Sequence, residues 1–313
     1  MSKVIRFLER MNAQLLCLRS KIQPKNLANN PMLIFADLGL GDLLMFLPTI
    51  KAIYERGAWD TIYFRTERAE AIEVLKGIFP RARFITPYEN KNGNARFIGY
   101  ERALLQYKFG IAVVNFHQAY KSNILPMVKL RIPITIGHSW PENKYHSIWT
   151  DPVEYNKEYY QVAENLKLLI PLGLYEKHKE SKMFFHTQPF KIPYEKYVLI
   201  QPASSTVREK NCWDVEAYVR NINGPIIFTG NAEEARIATN IMCNNPHSTI
   251  FNYCGKLNIF QTAYLIKKSS QFLCNEGGLA HLASALNVRA DVFVNTKIKR
   301  EQIYHKNLNY IFV

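Results

Sequence analysis

Three short stretches pair glycines or hydroxyls with side chains that handle protons and phosphates. The first is Asp37-Leu-Gly-Leu-Gly-Asp42. Gly39 and Gly41 are expected to allow a tight turn with positive φ and close approach of a ligand to the backbone. Asp42 has two readings that spacing alone leaves equal. It is the N-cap of the helix that follows, or it is a general base that takes a proton from an attacking hydroxyl. The glycines stop short of G-x-G-x-x-G because Leu44 fills the last position. Dinucleotide binding, and with it an NAD-dependent dehydrogenase, therefore has little support.

The second stretch runs from Gln201 to Trp213 and carries Ser204, Ser205, Thr206, Arg208 and Lys210. Consecutive hydroxyls followed by cations ahead of a helix make a cradle for a diphosphate, with hydroxyl donors, balancing charge and a helix N-terminus. Taken alone, a Ser-rich turn is more often a solvated loop. The third stretch is Cys274-Asn-Glu276-Gly-Gly-Leu-Ala-His281. Gly277 and Gly278 open into a helix start, a second anion site by the same logic. His281 falls in the first turn of that helix, where a lone histidine is more often structural. Glu276 beside a helix N-terminus can be no more than a dipole-stabilised carboxylate.

All three stretches follow apolar runs of strand length. After Pro31, runs at Met32–Ala36, Thr61–Phe64, Arg83–Ile85, Ile111–Asn115 and Ile132–Ile136 read as strands, with helices at Leu43–Tyr54 and Ala69–Ile78. The pattern restarts at Tyr197–Gln201 and continues through Pro225–Thr229, the neighbourhood of Phe251, Gln271–Cys274 and Ala290–Val294. Helices alternate with them at Val215–Ile222, Ala232–Met242, Ile259–Lys267 and Leu279–Leu286. Strands alternating with helices imply parallel β-α-β units. The fold class is therefore α/β, with two doubly wound parallel-sheet Rossmann-like domains facing across a cleft. Expected boundaries are 1–30 for a basic helix and linker, 31–175 for an acceptor-side domain and 190–313 for a nucleotide-sugar-binding domain. Gly173 to Tyr194 reads as the connection. Ligands of open α/β sheets bind beyond the carboxyl ends of strands, which is where all three stretches lie.

The composition suits this architecture. The chain has 313 residues, 48% hydrophobic and 21% charged, with 18 Tyr, 18 Phe and 4 Trp to fill a large core. Its formal net charge of +14 favours an anionic partner. No zinc-finger spacing or aromatic RNA-binding signature accompanies the basic residues, so nucleic acid ranks last. Cys17, Cys212, Cys243, Cys254 and Cys274 lie far apart and read as reduced thiols, with no metal cluster and no cofactor expected. No stretch reaches the roughly 18 to 20 apolar residues of a membrane span. In residues 1–30, Val4, Leu8, Met11, Leu15, Leu18 and Ile22 form one apolar stripe flanked by Lys and Arg. Packing on the domain or on a second subunit is preferred for that helix; an anionic membrane interface is the other reading. A cytoplasmic protein is expected, with any lipid contact at the cytoplasmic face of the inner membrane.

Residues Met32–Ile53, Tyr197–Trp213 with Phe228–Arg236, and Gly255–Leu286 together resemble glycosyltransferase family 9, the lipopolysaccharide heptosyltransferases of Gram-negative bacteria. The resemblance runs from about residue 31 to the end and implies the GT-B fold and an inverting, metal-independent transfer. It implies Asp42 as the base, Ser204 and Ser205 on the donor phosphates, and Lys210 or Arg208 on the diphosphate. Glu233 or Glu234 would hold the nucleoside ribose, and Glu276, Gly277, Gly278 and His281 would meet the donor. The family's third motif usually reads Asp, Ser or Thr, Gly, two residues, His; here Glu276 and Gly277 replace the acid and the hydroxyl. Members often continue into a closing helix, so this chain is expected to be short after its last strand at 290–294. The favoured reaction moves heptose from ADP-heptose to an anionic lipopolysaccharide inner-core acceptor. The alternatives are another nucleotide-sugar for another surface glycan, or a protein that binds a sugar nucleotide without turnover.

Overall fold

In the computed structural model the described residues are 30–56, 61–85, 107–119, 127, 130–140, 148–203, 213–246, 249–294 and 303–313. The expected helix in 1–30 and the residues 204–212 lie outside them. The chain divides into two compact units, Met1–Ser181 and Lys182–Val313.

The first unit holds β1 (Met32–Phe35), β2 (Ile62–Arg65), β3 (Arg83–Ile85), β4 (Ile111–Val114), β5 (Ile134–Ser139) and β6 (Asp151–Glu154). They form one six-stranded sheet in the order β3-β2-β1-β4-β5-β6, parallel throughout. The reason is visible in β1. All four of its side chains are buried, as a strand covered on both faces requires, and such strands read as unbroken apolar runs. Helices α1 (Leu40–Arg56), α2 (Ala69–Ile78) and α3 (Gln161–Lys167) belong to this unit, together with a 3-10 turn at Phe116–Gln118.

The second unit repeats the design. Its strands are β7 (Val198–Ile200), β8 (Ile226–Phe228), β9 (Ile250–Asn252), β10 (Gln271–Asn275), β11 (Asp291–Val294) and β12 (Asn309–Phe312). The order is β12-β11-β10-β7-β8-β9, again all parallel. Renumbered from its own first strand this is the same winding as the first unit. Helices α4 (Val215–Asn221), α5 (Glu234–Asn244), α6 (Ile259–Lys268) and α7 (Gly278–Ala285) connect the strands. Residues before β7 join this unit as well: Phe185 stacks on Phe260, and the Gln188 N–H donates to the Phe260 carbonyl.

Two strands differ from expectation. β6 was not anticipated, and β12 makes β11 an interior strand rather than the last one. In each unit the winding reverses between the first and fourth strands, β1/β4 and β7/β10. Open sheets of this winding bind ligands outside the carboxyl ends at that reversal. This places two candidate regions, each described within its own unit.

Candidate active site

In the first unit, β1 leads through Asp37 into α1, and β4 leads through Asn115 into the 3-10 turn. The two acids of the first motif have separate duties. Asp37 Oδ1 accepts from the Thr66 hydroxyl at 3.2 Å and the Glu67 N–H at 2.8 Å, and Oδ2 pairs with Arg65 at 3.1 Å. Its carbonyl accepts from Gln118 Nε2 at 2.7 Å. Asp37 thus ties the ends of β1 and β2 to the turn after β4.

Asp42 is not the N-cap. The helix starts at Leu40, with the Leu43 N–H already donating to the Gly39 carbonyl, so Asp42 sits inside the first turn, where the dipole favours an anion. Gly39 and Gly41 do not adopt positive φ, and a Cβ on Gly39 would meet nothing within 4 Å. The expected tight positive-φ turn is therefore absent: Gly41 lies within the first turn of the helix and Gly39 just before it. Low intrinsic propensity for glycine is overridden by the packing of Leu43, Leu44 and Phe46.

Beside Asp42 stands His117, from the turn after β4. Its Nε2 is 3.3 Å from Asp42 Oδ1, and each side chain keeps about a third of its exposure, 32% and 34%. The same Nε2 is 2.6 Å from the amide nitrogen of Gln161 on α3, a residue that is itself buried. His117 was not singled out in the sequence. The signal was available: it follows the strand expected at Ile111–Asn115, and residues just after strands were the ones to inspect.

The support under this pair is rigid. Phe116 stacks on Tyr155 with ring centroids 4.2 Å apart, and Trp140 packs on Phe116. The Phe116 N–H donates to His138 Nδ1 at 2.9 Å, and His138 Nε2 meets the Glu164 carbonyl at 3.0 Å. Burial holds the His138 pKa down at about 3. The ring is neutral, so Nδ1 accepts and Nε2–H donates. Burial, with the Glu164 and Asp42 carboxylates adding to it, pushes Tyr155 up to about 12, so its phenol keeps its proton. Asn165 Nδ2 donates to the Met45 carbonyl at 3.1 Å, fastening α3 to the helix that carries Asp42.

In the second unit, Glu276 and Gly277 follow β10 at the winding reversal. Gly277 has φ 150°, a region open to glycine and strained for other residues. Glu276 is largely covered, and its Oε1 lies 4.0 Å from His281 Nε2. His281 Nδ1 is 2.6 Å from His305 Nε2. Burial lowers His281 to about 3 and His305 to about 4, so one hydrogen lies between two neutral rings. If His305 donates it, His281 carries its own hydrogen on Nε2 and points an N–H, not a lone pair, at Glu276. That tautomer is the electrostatically favoured one. His305 is a second neighbour of a motif residue that the motifs themselves do not contain.

The acids after β8 also divide. Glu234 is buried, 4% exposed; its Oε2 accepts from the Asn231 N–H at 2.6 Å and Oε1 from Gln201 Nε2 at 2.9 Å. Gly230 has positive φ, and a Cβ there would fall 2.2 Å from Glu234 Oε2. The pattern Gly230-Asn-Ala-Glu-Glu234 is thus a closed structural turn, and Glu233 beside it is exposed. Burial raises the Glu234 pKa against these hydrogen bonds. Glu234→Gln would set an amide N–H₂ against N–H donors, so it is expected to destabilise the protein by about 1 to 3 kcal/mol. Urea denaturation of the two proteins at pH 7 measures it, and unchanged stability would show that the turn does not need an acceptor-only side chain.

Ser204, Ser205, Arg208 and Lys210 lie outside the described residues. On either side of them, Gln201 and Ala203 are buried, and Trp213 stacks on Phe293 with centroids 4.0 Å apart. Asp214 caps α4 by accepting from the Ala217 N–H. No helix among the described residues is long and apolar enough to cross a membrane.

The model of glycosyltransferase family 9 (heptosyltransferase) matches residues 99–312. No curated protein sequence matches the chain significantly. Among solved structures, the Escherichia coli heptosyltransferase WaaC with ADP-2-deoxy-2-fluoro heptose superposes with a TM-score of 0.69 at 13% identity, over 90% of this chain and 92% of that one. E. coli ADP-heptose lipopolysaccharide heptosyltransferase II gives 0.67 at 14% identity, over 90% of each chain. A family 9 glycosyltransferase from Veillonella parvula gives 0.68 at 12% identity, over 91% and 86%. At these identities the likeness is one of fold, the GT-B fold of two Rossmann-like units.

Proposed function

The chain belongs to glycosyltransferase family 9, and on that premise we propose that it transfers heptose from ADP-heptose to an anionic lipopolysaccharide inner-core acceptor, with inversion and without a metal. The observation that carries this reading is Asp42. It is a carboxylate at the winding reversal of the first sheet, with Oδ1 beside His117 and the carboxylate still part-exposed. In the reading, Asp42 takes the proton of the acceptor hydroxyl as that oxygen attacks the anomeric carbon. The C–O bond to the nucleoside diphosphate breaks, and the diphosphate leaves with the bonding electrons.

The second unit holds the donor in this scheme. Ser204, Ser205 and Lys210 or Arg208 meet the charge on the departing diphosphate, together with the backbone around Gly277 and Gly278, as preorganised donors should. Glu233, not the buried Glu234, is assigned to the ribose. Two structural neighbours support an adenine nucleotide: WaaC with ADP, and the TibC heptosyltransferase in complex with ADP-D-β-D-heptose. The excess of Lys and Arg, including those that flank the apolar stripe in 1–30, suits an anionic glycolipid at a membrane surface.

A ligand that binds only the folded state raises the melting temperature by mass action. At equal concentrations ADP is expected to raise it more than UDP or GDP. A larger shift with UDP or GDP would overturn the heptose donor and favour the second reading, a different nucleotide-sugar. One feature favours that second reading, the Glu276-Gly277 pair in place of a shorter acid and a hydroxyl.

A further inference from the structure

We infer that His117 is the positioning residue of Asp42, holding the carboxylate through Nε2–H, and that Gln161 in turn holds His117. This rests on the reading of Asp42 as the base and deepens it. Three elements bring the residues together at the winding reversal: Asp42 from α1, His117 from the turn after β4, and Gln161 from α3. A ring nitrogen carries either a hydrogen or a lone pair, so one Nε2 must satisfy both neighbours, Asp42 Oδ1 at 3.3 Å and the Gln161 amide at 2.6 Å. With a lone pair there, the ring would face an anionic oxygen with another electron-rich atom. With a hydrogen there, it donates a forked bond to Oδ1 and to the Gln161 amide, which requires that amide to present its oxygen to the ring at the position where the nitrogen is placed.

The arrangement fixes the carboxylate by its Oδ1 and leaves Oδ2 for an acceptor hydroxyl. A base held in one rotamer is ready for in-line attack; a base that rotates samples unproductive poses, and misplacement by about 1 Å costs on the order of a hundredfold. Buried Gln161 supplies the rigidity, because α3 is fastened to α1 through Asn165. The charged and titratable groups that face the pair are Tyr155, His138, and Glu164 with its ion-pair partner Lys167. None of them reaches Nε2 in place of Gln161.

Two measurements on the full-length chain test this. The first is 15N NMR of histidine-labelled protein at pH 7.5 (a pH of about one unit above the ordinary histidine value), with His117→Gln used to assign the resonance. The expected result is an N–H at His117 Nε2 in the wild type that moves to Nδ1 in Asp42→Asn, where the anion is gone. Nε2 without hydrogen in the wild type would overturn the inference whatever the donor is. The second is steady-state transfer with ADP-heptose and deacylated lipopolysaccharide core. His117→Ala is expected to lower kcat about ten- to a hundredfold with donor KM unchanged, and His117→Gln, which keeps an N–H near the same place, to restore most of it. Wild-type kcat in His117→Ala, with Asp42→Asn inactive, removes the positioning role alone. Full turnover by Asp42→Asn removes the base itself.

Discussion

The Asp42→Asn protein is expected to fold and bind donor like the wild type and to turn over roughly 10²- to 10⁴-fold more slowly, the usual loss when a positioned base is removed. The substitution is chosen to change one thing. Asparagine keeps the shape of the side chain while removing its charge, and Asp42 is part-exposed, so the fold should tolerate the change. Asp37 shows the contrast. Its carboxylate is committed to Thr66, Glu67 and Arg65, and replacing it would loosen the sheet edge and confound the result. Calorimetric titration of ADP against both proteins separates binding from chemistry. A loss confined to kcat marks an interaction made only in the transition state. Normal turnover by a folded Asp42→Asn protein would refute the base.

What the sequence disclosed follows from where its information is local. The interior strands were legible because burial on both faces writes them as apolar runs, as in Met32–Phe35 and Ile111–Val114. Two of the four edge strands, β6 and β12, were not, whereas β3 was anticipated at its observed bounds. β6 is Asp151-Pro-Val-Glu154, with Val153 its one buried side chain, and β12 has no fully buried residue. Each leans on a single neighbour, so its pattern carries little hydrophobic signal. The start of α1 was misplaced by three residues because two glycines disguise a helical turn. The site shows the same division. Asp42 and Glu276 sit in local motifs. His117, Gln161 and His305 reach their partners only through the winding of the sheets; of the three, only His117 carries a local signal, its place just after an expected strand. Glu234 needed burial to be told apart from Glu233, since adjacent acids look alike until one is covered.

Acidification is expected to destabilise the protein strongly well before its carboxylates titrate, because three histidines are buried neutral. His138 and His281 are held at about 3 and His305 at about 4, chiefly by burial. The ordinary value is about 6.5. For a group whose folded pKa is depressed, the stabilisation is complete above the unfolded pKa and is lost as pH falls toward the folded one. Between pH 6.5 and about 4 the unfolded chain takes up protons that the folded chain refuses. Each such histidine costs up to about 1.4 kcal/mol per pH unit, so at pH 5 each has withdrawn about 2 kcal/mol. Three of them amount to a large part of the roughly 5 to 15 kcal/mol that holds a domain folded. Glu234 works in the opposite sense, since its raised pKa favours the folded state as pH falls, but it is one group against three. The loss should be unequal between the units. The first contains His138, while the second contains the His281–His305 pair, whose shared hydrogen bond is lost when the accepting ring takes a second proton. Urea midpoints at pH 7 and pH 5, read separately through each unit, would show it. From pH 7 to pH 5 the urea midpoint of the second unit should fall about twice as far as that of the first, two buried histidines against one; equal midpoints at the two pH values would mean that these rings are not sealed from water.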